Sequence, residues 1–388
     1  MEEVAVGLIG CGGMMQAHLQ RGFQAVWEKG FRSFRIIACV DEDKERAEAT
    51  AETIGKWQEC KPQIFKTTEE MLRQEKAVQA VDIAVPHYLH HTIALACLSE
   101  GKNVLIEKPL AITLRAGRAM IEEAEKRQLI LSVAENYRRD WSSRAFRWTI
   151  EQGKIGKPQK IYWLDIYERR HFWGWRDDRE RSGGGWLLDG GVHFADLMRY
   201  FLGEVDEVFG QTALQEPRRF DRTSGQQVAS ATIEDVAHAL LTFQNGVLGI
   251  WAEVISAPGA PVSRRIIYGD EGCIDLKEGL FLRDKGRVSS VEDLKKEFVV
   301  SLTSEQREQF FPLGITDDVA QEVYEFLKAC QTGDRKVEVD GWEGYRSQAV
   351  CMAVYESAVL HQPVKIRDIE AHRIEVYQSD LNRRWAIS

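Results

Sequence analysis

Residues 4–18 read VAVGLIGCGGMMQAH, and this stretch decides the fold of the first part of the chain. Val4–Ile9 is a short apolar run rich in β-branched residues, which predicts a buried strand. Gly10 permits a tight turn, and Gly12 lets the backbone come close to a diphosphate, at which the N–H groups of the following helix point. The third glycine position of the G-x-G-x-x-G motif, usually a small residue, is Met15 here. The context of strand, turn and helix is nevertheless the one that the motif requires. We therefore expect the nucleotide to lie against Gly10, Gly12, Gly13, Met14 and Met15.

Apolar runs and helical segments continue to alternate over the first third of the chain. The pattern predicts strands at 34–40, 81–85, 104–106 and 129–133, and helices at 14–29, 44–54, 91–99 and 114–127. Thr67, followed three residues later by Glu70, predicts a capped start for one more short helix. Continuous apolar strands that alternate with helices indicate a parallel sheet covered on both faces, in which ligands bind beyond the carboxyl ends of the strands.

Chemically suggestive residues follow these strands at that edge. Asp41 follows the second strand, where a carboxylate accepts hydrogen bonds from the ribose of an adenosine and repels a 2′-phosphate. This position favours NAD over NADP, and the alternative is that Asp41 caps the next helix. Asn136 follows the strand predicted at 129–133 and is expected at the cofactor, with Tyr137 at the substrate. The strands predicted at 81–85 and 104–106 are followed by Pro86, His87, His90, Glu107 and Lys108.

The pattern changes after about residue 155, where strands are predicted at 161–167, 204–214, 235–243, 247–255 and 264–268. Gln244-Asn245-Gly246 predicts a hairpin turn, and 270–272 predicts a second one. These features indicate a second domain with an antiparallel or mixed sheet, so we divide the chain into domains at 1–134 and 135–388. Several of these strands are apolar on both faces, so helices are expected to cover one face and a second subunit, in a homodimer or homotetramer, the other.

Composition restricts the classes of function. The chain has 388 residues, of which 44% are hydrophobic and 29% charged, with a formal net charge of −9. An acidic protein suits small-molecule ligands and argues against a nucleic-acid partner. The seven cysteines contain no C-x-x-C pair, and no metal is expected. The acidic N-terminus and the absence of a long apolar run favour a cytoplasmic protein over a secreted or membrane protein.

One segment of the second half combines glycines with ionisable residues, since 182–197 reads SGGGWLLDGGVHFADL. Its three consecutive glycines allow a close approach of the backbone to another group. Asp189, His193 and Asp196 recur at helical spacing and share one face of a helix. The residues leave three interpretations open. They are a helix with an acid at its start, a metal site completed by the histidines of 87–91, and a proton relay in which Asp189 orients His193 as a base.

The segment before it, 167–186, reads YERRHFWGWRDDRERSGGGW and is rich in arginine and tryptophan. Aromatic faces pack on the C–H faces of sugars, and arginine binds carboxylate, phosphate or sulfonate. We expect Trp175 and Arg176 to contact a substrate. The alternative is a network of arginines and acids at a subunit interface or on a solvated loop.

Three stretches together resemble the Gfo/Idh/MocA family of sugar and cyclitol oxidoreductases. They are GLIGCGGMMQAHLQ from Gly7, VLIEKPLAITL from Val104 and GGGWLLDGGVHFADLMRYFLG from Gly183, and the resemblance extends over essentially the whole chain. It implies a doubly wound Rossmann domain, followed by an α+β domain with a large, mostly antiparallel sheet. It also implies a line of residues at the cofactor, which are Pro86, His87, His90, Glu107 and Lys108. His87 stands where the family usually has asparagine.

The resemblance implies a reaction in which NAD takes a hydride from the carbon that bears a secondary hydroxyl of a sugar, sugar acid or cyclitol. Lys108, Asp189 and His193 would form the catalytic group and would touch the substrate. His193 would accept the hydroxyl proton and Lys108 would stabilise the alkoxide, although Lys108 is also an alternative base. Two other functions stay open: a glycosidase that retains NAD, oxidises C3 transiently and eliminates the glycosidic bond, and a non-catalytic sensor of NAD or sugar.

Overall fold

The computed structural model describes residues 3–387. The strands are β1 (Val4–Ile9), β2 (Phe34–Val40), β3 (Gln63–Phe65), β4 (Ala80–Ile83), β5 (Asn103–Glu107), β6 (Leu131–Ala134), β7 (Pro158–Ile166), β8 (Val205–Ala213), β9 (Arg218–Phe220), β10 (Gln227–Ser230), β11 (Val236–Phe243), β12 (Leu248–Val254), β13 (Val262–Gly269), β14 (Gly272–Asp275), β15 (Gly279–Leu282), β16 (Gly286–Ser289) and β17 (Val364–Lys365). The helices are α1 (Gly13–Ala17), α2 (Ala25–Glu28), α3 (Lys44–Gln58), α4 (Thr68–Gln74), α5 (His87–Ser99), α6 (Leu114–Arg127), α7 (Trp141–Glu151), α8 (Arg179–Ser182), α9 (Trp186–Asp189), α10 (Gly191–Leu202), α11 (Val291–Ser301), α12 (Ser304–Phe310), α13 (Asp318–Thr332), α14 (Gly341–Leu360), α15 (Ile366–Glu370) and α16 (Ser379–Arg384). Within residues 3–387, no helix is both long enough and apolar enough to span a lipid bilayer.

The chain forms two units, the first of which comprises residues up to Ile112, Ala116–Arg139 and Arg307–Tyr345. Its six strands pair in parallel in the order β3-β2-β1-β4-β5-β6. β4 and β6 are wholly buried, as their largely apolar sequences predict. This order is that of a doubly wound sheet, in which the direction of winding reverses between β1 and β4 and ligands bind at the carboxyl ends. The predicted Rossmann domain is confirmed.

Residues 307–345 also belong to this first unit, whereas the predicted division at 134 and 135 places them in the second domain. A π-helical turn, His18–Gln24, joins α1 to α2, and α13 lies against it. A Cβ atom on Gly22 would lie 2.7 Å from Val323 Cγ2, so this glycine permits the close approach. Val323 and Phe326 are fully buried in the core of the first unit. A division placed where the strand pattern changes assumes continuous domains and cannot anticipate such a return.

The second unit comprises Thr113–Arg115, Asp140–Gln306 and the residues from Arg346 onward. Its sheet has nine strands in the order β16-β15-β14-β13-β7-β12-β11-β8-β17. β7 and β12 pair in parallel, and the other neighbours pair antiparallel. Both predicted hairpins are present, and Gly246 has a φ of +86°, which the first turn requires. The predicted large, mostly antiparallel sheet is confirmed.

The two faces of this sheet have different surroundings. On one face Trp163 and Trp251 are fully buried, and the ring of Phe194 on α10 lies 5.1 Å from that of Trp163. The opposite face exposes 54% of Leu240 and 42% of Ile250. These side chains belong to an apolar row that crosses five adjacent strands and consists of Phe209, Leu240, Ile250, Tyr162 and Ile266.

Candidate active site

The glycine loop after β1 has the conformation that its sequence predicts. Gly10 has a φ of +84°, and its N–H donates to Val40 O at 2.8 Å. A Cβ atom there would lie 2.4 Å from Ala84 O, so only glycine fits. Gly12 is the N-cap of α1, and a Cβ atom on Gly12 or Gly13 would meet nothing within 4 Å. The loop therefore leaves open space at the helix start, as a bound diphosphate requires.

Asp41 connects this loop to the turn after β2. Its Oδ2 accepts from Cys11 N at 2.7 Å, and its Oδ1 accepts from Asp43 N at 2.8 Å and Arg46 Nη2 at 3.0 Å. The N-cap of α3 is Asp43, whose carboxylate accepts from the backbone of that helix. The helix-cap alternative for Asp41 is therefore wrong, and its carboxylate lies beside the nucleotide loop.

The two methionines of the motif are placed differently. Met15 is fully buried in the core of the first unit, which accommodates the large side chain at this position. Met14 is 44% exposed at the surface of α1. Met15 can therefore face a nucleotide only through its backbone, whereas the side chain of Met14 is open to contact.

His90 lies between the ends of β4 and β5. Its Nε2 faces Val85 O at 3.0 Å and its Nδ1 faces Pro109 O at 2.9 Å. Burial, together with nearby His87, lowers the pKa of His90 to about 4, so the ring is neutral. A neutral imidazole has one N–H, so the ring donates to one of these two carbonyl oxygens, and it lies between the end of β4 and the loop that carries Lys108. His87 is also buried, with its ring 5.6 Å from that of His90.

A buried cluster of ionisable groups lies behind Lys108. His18 Nδ1 is 2.8 Å from Asp82 Oδ2, and its Nε2 is 2.9 Å from Glu107 Oε1. The other oxygen of Glu107 accepts from Lys108 N at 3.1 Å. A neutral imidazole has one N–H, so the ring donates to both carboxylates only as an imidazolium. Burial lowers the pKa of His18, but the charges and hydrogen bonds of Asp82 and Glu107 outweigh it and raise that pKa well above its usual value.

The cluster continues to the returning helix α13. Glu322 Oε1 is 3.9 Å from His18 Nε2, and burial raises the pKa of Glu322 well above its usual value. The sequence predicted no role for His18, Asp82 or Glu322. The available signal was Asp82, a carboxylate within an otherwise apolar strand that is buried throughout. Such a group needs a buried partner, but sequence alone does not name it.

The residues after β6 also lie at this edge of the first unit. Asn136 Nδ2 donates to Asp318 Oδ2 at 2.6 Å, and Tyr137 N donates to Glu135 Oε1 at 3.1 Å. The amide of Asn136 is therefore tied to the start of α13, and Tyr137 is 37% exposed. Together with the glycine loop and Asp41, these residues place the predicted cofactor group of the first unit at one sheet edge. They fit a dinucleotide, because the loop leaves room for a diphosphate and Asp41 lies where a ribose is recognised.

In the second unit the three consecutive glycines permit contacts within the protein itself. A Cβ atom on Gly184 would lie 2.4 Å from Tyr355 Oη, and one on Gly185 would lie 2.3 Å from Glu234 O. Glu234 accepts from Gly185 N at 2.7 Å and from Tyr355 Oη at 2.8 Å. Burial raises the pKa of Glu234 to about 7. The close approach predicted from the glycines is thus to Tyr355 and Glu234, which fix the start of α9.

Asp189 and His193 lie one turn apart at the junction of α9 and α10. Gly190 between them has helical backbone angles, and His193 N donates to Gly190 O at 3.2 Å. The two side chains therefore share one face, and both are buried, at 5% and 8% exposure. Asp196, the third member of the spacing, accepts from Ser347 Oγ at 2.9 Å in the core of the second unit. A carboxylate and an imidazole in this arrangement can orient and transfer a proton.

The predicted substrate residues lie beside Asp189. Arg176 Nε is 3.4 Å from Asp189 Oδ1, and its guanidinium lies over the ring of Trp175 at 4.3 Å from the centroid. The turn that carries both is held by a buried ion pair of 2.8 Å between Arg219 and Asp177. Part of the predicted network of arginines and acids is therefore internal to this unit.

Comparison with known families matches both halves of the chain. Residues 4–135 match the model described as the oxidoreductase family, NAD-binding Rossmann fold, GFO_IDH_MocA. Residues 147–366 match the model of the C-terminal alpha/beta domain of the same oxidoreductase family. The two models cover more than half of the chain.

Individual relatives agree with this assignment. The chain is 28% identical over 335 residues to 1,5-anhydro-D-fructose reductase of Ensifer adhaerens, covering 85% of this chain and 91% of the relative. It is 26% identical over 347 residues to myo-inositol 2-dehydrogenase of Thermotoga maritima, covering 86% and 92%. A structure of levoglucosan dehydrogenase in complex with NADH and L-sorbose has a TM-score of 0.76 at 23% identity, covers 95% of this chain and 100% of the neighbour, and shows the same fold.

Proposed function

The chain belongs to the Gfo/Idh/MocA oxidoreductase family, and we propose that it is an NAD-dependent dehydrogenase that oxidises a secondary hydroxyl of a carbohydrate or cyclitol. The observation that carries the proposal is the pairing of two sites in one chain. One is a glycine loop with Asp41 at the edge of a doubly wound sheet, and the other is the Asp189–His193 pair in the second unit. Relatives named as dehydrogenases or reductases of inositol, levoglucosan and anhydrofructose support this substrate class.

We propose Lys108, Asp189 and His193 as the catalytic residues. A bound NAD supplies the hydride acceptor. His193 accepts the hydroxyl proton, because a neutral imidazole has a ring nitrogen that can act as a general base. Asp189 orients that ring and stabilises its charged form, and the ammonium of Lys108 stabilises the developing alkoxide. Lys108 as the base is the rival assignment.

NAD is the proposed cofactor because Asp41 places a negative charge next to the glycine loop. A 2′-phosphate of NADP would be repelled there. Gly10, Gly12, Gly13 and Met14 would hold the diphosphate end. The nicotinamide end would lie among Pro86, His87, Glu107 and Lys108.

The test is a panel of polyols, aldoses, sugar acids and glycosides incubated with NAD, followed by NADH absorbance and by product analysis. Formation of NADH in proportion to product supports a dehydrogenase, whereas glycoside cleavage without net NADH indicates the glycosidase alternative.

In Lys108→Met and His193→Asn, turnover should fall by about 10²–10⁴-fold while NAD still binds. The exposed residues Lys157 and His361 provide matched controls, as Lys157→Met and His361→Asn, which should keep full activity. Turnover that survives both catalytic-site substitutions would remove the assignment.

A homo-oligomer is proposed from the exposed face of the nine-stranded sheet. The apolar row from Phe209 to Ile266 lies on one face of five neighbouring strands, with Leu240 and Ile250 each more than two-fifths exposed. Sheets bury such faces by packing on another sheet, and a second copy of this chain offers an identical one.

The cysteines that the structure describes are thiols, which suits the proposed cytoplasmic location.

A further inference from the structure

Arg169 differs from the other arginines around the proposed substrate segment. It follows β7, and its guanidinium lies 3.5 Å from the ring centroid of Trp173 and 5.1 Å from that of Trp186. No carboxylate among residues 3–387 forms an ion pair with it. Its neighbours in the segment have acidic partners, which are Glu216 for Arg170, Asp189 for Arg176, Asp380 for Arg179 and Asp178 for Arg181.

An unpaired, partly desolvated guanidinium is costly. Burial lowers the pKa of Arg169, although arginine remains charged at any physiological pH. The indole faces offset part of the cost through cation–π attraction. They leave the in-plane N–H donors unused, however, and those are the groups that bind carboxylate or phosphate through two parallel hydrogen bonds.

The position of Arg169 relates it to the proposed chemistry. Trp186 begins α9, one turn before Asp189, and its indole N–H donates to Glu253 Oε2 at 3.0 Å, which fixes the ring. Arg176, which contacts Asp189, lies over the same Trp173 ring at 5.1 Å. Arg169, Arg176 and the two tryptophans therefore form one cluster beside Asp189.

We propose that Arg169, assisted by Arg176, binds an anionic group of the substrate, so that the enzyme acts on an anionic carbohydrate rather than on a neutral polyol. The anion is a carboxylate, as in a sugar acid, or a phosphate, as in a sugar phosphate. The tryptophan rings beside it suit the C–H face of the same sugar. This inference rests on the proposed function and specifies its substrate class.

The experiment compares matched sugars with NAD: D-glucose, D-glucuronate and D-glucose 6-phosphate. In the wild type, kcat/KM should be higher for at least one of the two anions than for glucose, and the better anion identifies carboxylate or phosphate. Arg169→Met should lower kcat/KM for that anion about 10- to 100-fold and leave the value for glucose within about twofold. Arg169→Lys keeps the charge but loses the planar pair of N–H donors. Its kcat/KM for that anion should lie between the values of the wild type and of Arg169→Met. Arg222→Met removes a charge from an exposed arginine near the segment and should change neither value.

Three results would overturn the inference: glucose preferred over both anions, equal losses on all three sugars in Arg169→Met, or an equal loss for the anions in Arg222→Met. Reduction of NAD by glucose alone leaves the proposed function standing and removes only the anion site. If no sugar reduces NAD, calorimetric titration of the NAD-loaded protein with the two anions decides. Binding that is lost in Arg169→Met supports the site, and binding that is absent or unchanged in the variant refutes it.

Discussion

Asp41 is the residue that should choose between the two nicotinamide dinucleotides. Its carboxylate holds Cys11 N and lies beside Arg46, a cation that could accept a 2′-phosphate once the negative charge is gone. Asp41→Asn keeps an acceptor for Cys11 N and removes the charge. The ratio of kcat/KM for NADP to that for NAD should rise about 10- to 100-fold, which corresponds to about 1–3 kcal/mol of relieved repulsion.

Asp43→Asn is the matched control for this change. It removes the same charge two residues away, and asparagine preserves the N-cap of α3. An equal rise in the NADP ratio in this control, or no rise in Asp41→Asn, would contradict the role assigned to Asp41.

His18 should contribute to stability in a way that depends on pH. The imidazolium joins the buried carboxylates of Asp82 and Glu107, and glutamine cannot supply a charge between them. His18→Gln should lower the free energy of unfolding near pH 6 by about 3–5 kcal/mol, the range for breaking a buried ion pair. Because the pKa of His18 is raised in the folded state, its contribution is complete below about pH 6.5 and is lost as pH rises through the higher folded pKa.

The measurement is urea unfolding of both proteins between pH 6 and pH 9. The difference in the free energy of unfolding between wild type and His18→Gln should narrow as pH increases. A constant or widening difference would mean that the ring is neutral in the folded protein and that one of the two carboxylates carries the proton. The exposed His361 gives a control, His361→Gln, with no expected pH-dependent difference.

The proximity of residues at strand ends could be predicted from the sequence, whereas the contacts within the buried cluster could not. Asp41, Glu107 and Asn136 follow strands whose carboxyl ends share an edge, so their proximity follows from the parallel sheet itself. His18 lies within a helix, and its partners come from β4 and β5, so the contact depends on tertiary packing. The position of His90 between two carbonyl groups has the same origin.

At the scale of elements, the loop after β1 requires glycine at two positions for different reasons. Gly10 has a positive φ and no room for a Cβ atom, so Gly10→Ala should destabilise the apo protein by about 2–4 kcal/mol. Gly12 has a φ of −74°, which any residue adopts, and open space around it, so Gly12→Ala should leave the unfolding midpoint of the apo protein nearly unchanged. Its added methyl group would occupy the space proposed for the diphosphate, and NAD affinity should fall at least about tenfold.

Chemical unfolding without NAD and calorimetric titration with NAD separate these effects. The contrast fails if Gly12→Ala destabilises the apo protein as much as Gly10→Ala does. It also fails if Gly12→Ala binds NAD as tightly as the wild type, in which case the diphosphate does not lie over the loop.

Long, periodic elements were predictable, and short ones were not. β1, β2 and α6 have the predicted bounds, because continuous apolar runs and helical periodicity determine them. β9 and β10 have three and four residues, mostly polar and exposed, and nothing in their composition distinguishes them from loops. The glycines before α9 predicted a close contact correctly. Their partner Tyr355 lies about 170 residues later and could be identified only in the folded structure.

At the scale of the whole molecule, residues 307–345 from late in the chain form part of the first unit and pack on its Rossmann sheet and helices. Asn136 beside the candidate cofactor residues is held by Asp318, and Arg139 is buried against Glu325 of α13. The Rossmann sheet is therefore completed by a segment that follows most of the second unit in sequence. An isolated fragment ending near residue 134 would lack these contacts, which explains why the domain limits could not be read from the order of strands alone.

The exposed row of the nine-stranded sheet should control assembly. Two apolar side chains removed from an interface cost about 3 kcal/mol or more, and the buried charges that replace them cost further free energy. The double variant Leu240→Glu, Ile250→Glu should therefore shift the wild-type oligomer to monomer, as measured by light scattering after size-exclusion chromatography. NAD binding should survive, because the glycine loop belongs to the other unit. Val300 on α11, which is 82% exposed, gives the control Val300→Glu, which should leave the mass unchanged. A monomeric wild type at micromolar concentration, or a double variant with the wild-type mass, would show that this face does not form the interface and that its apolar row is covered in another way.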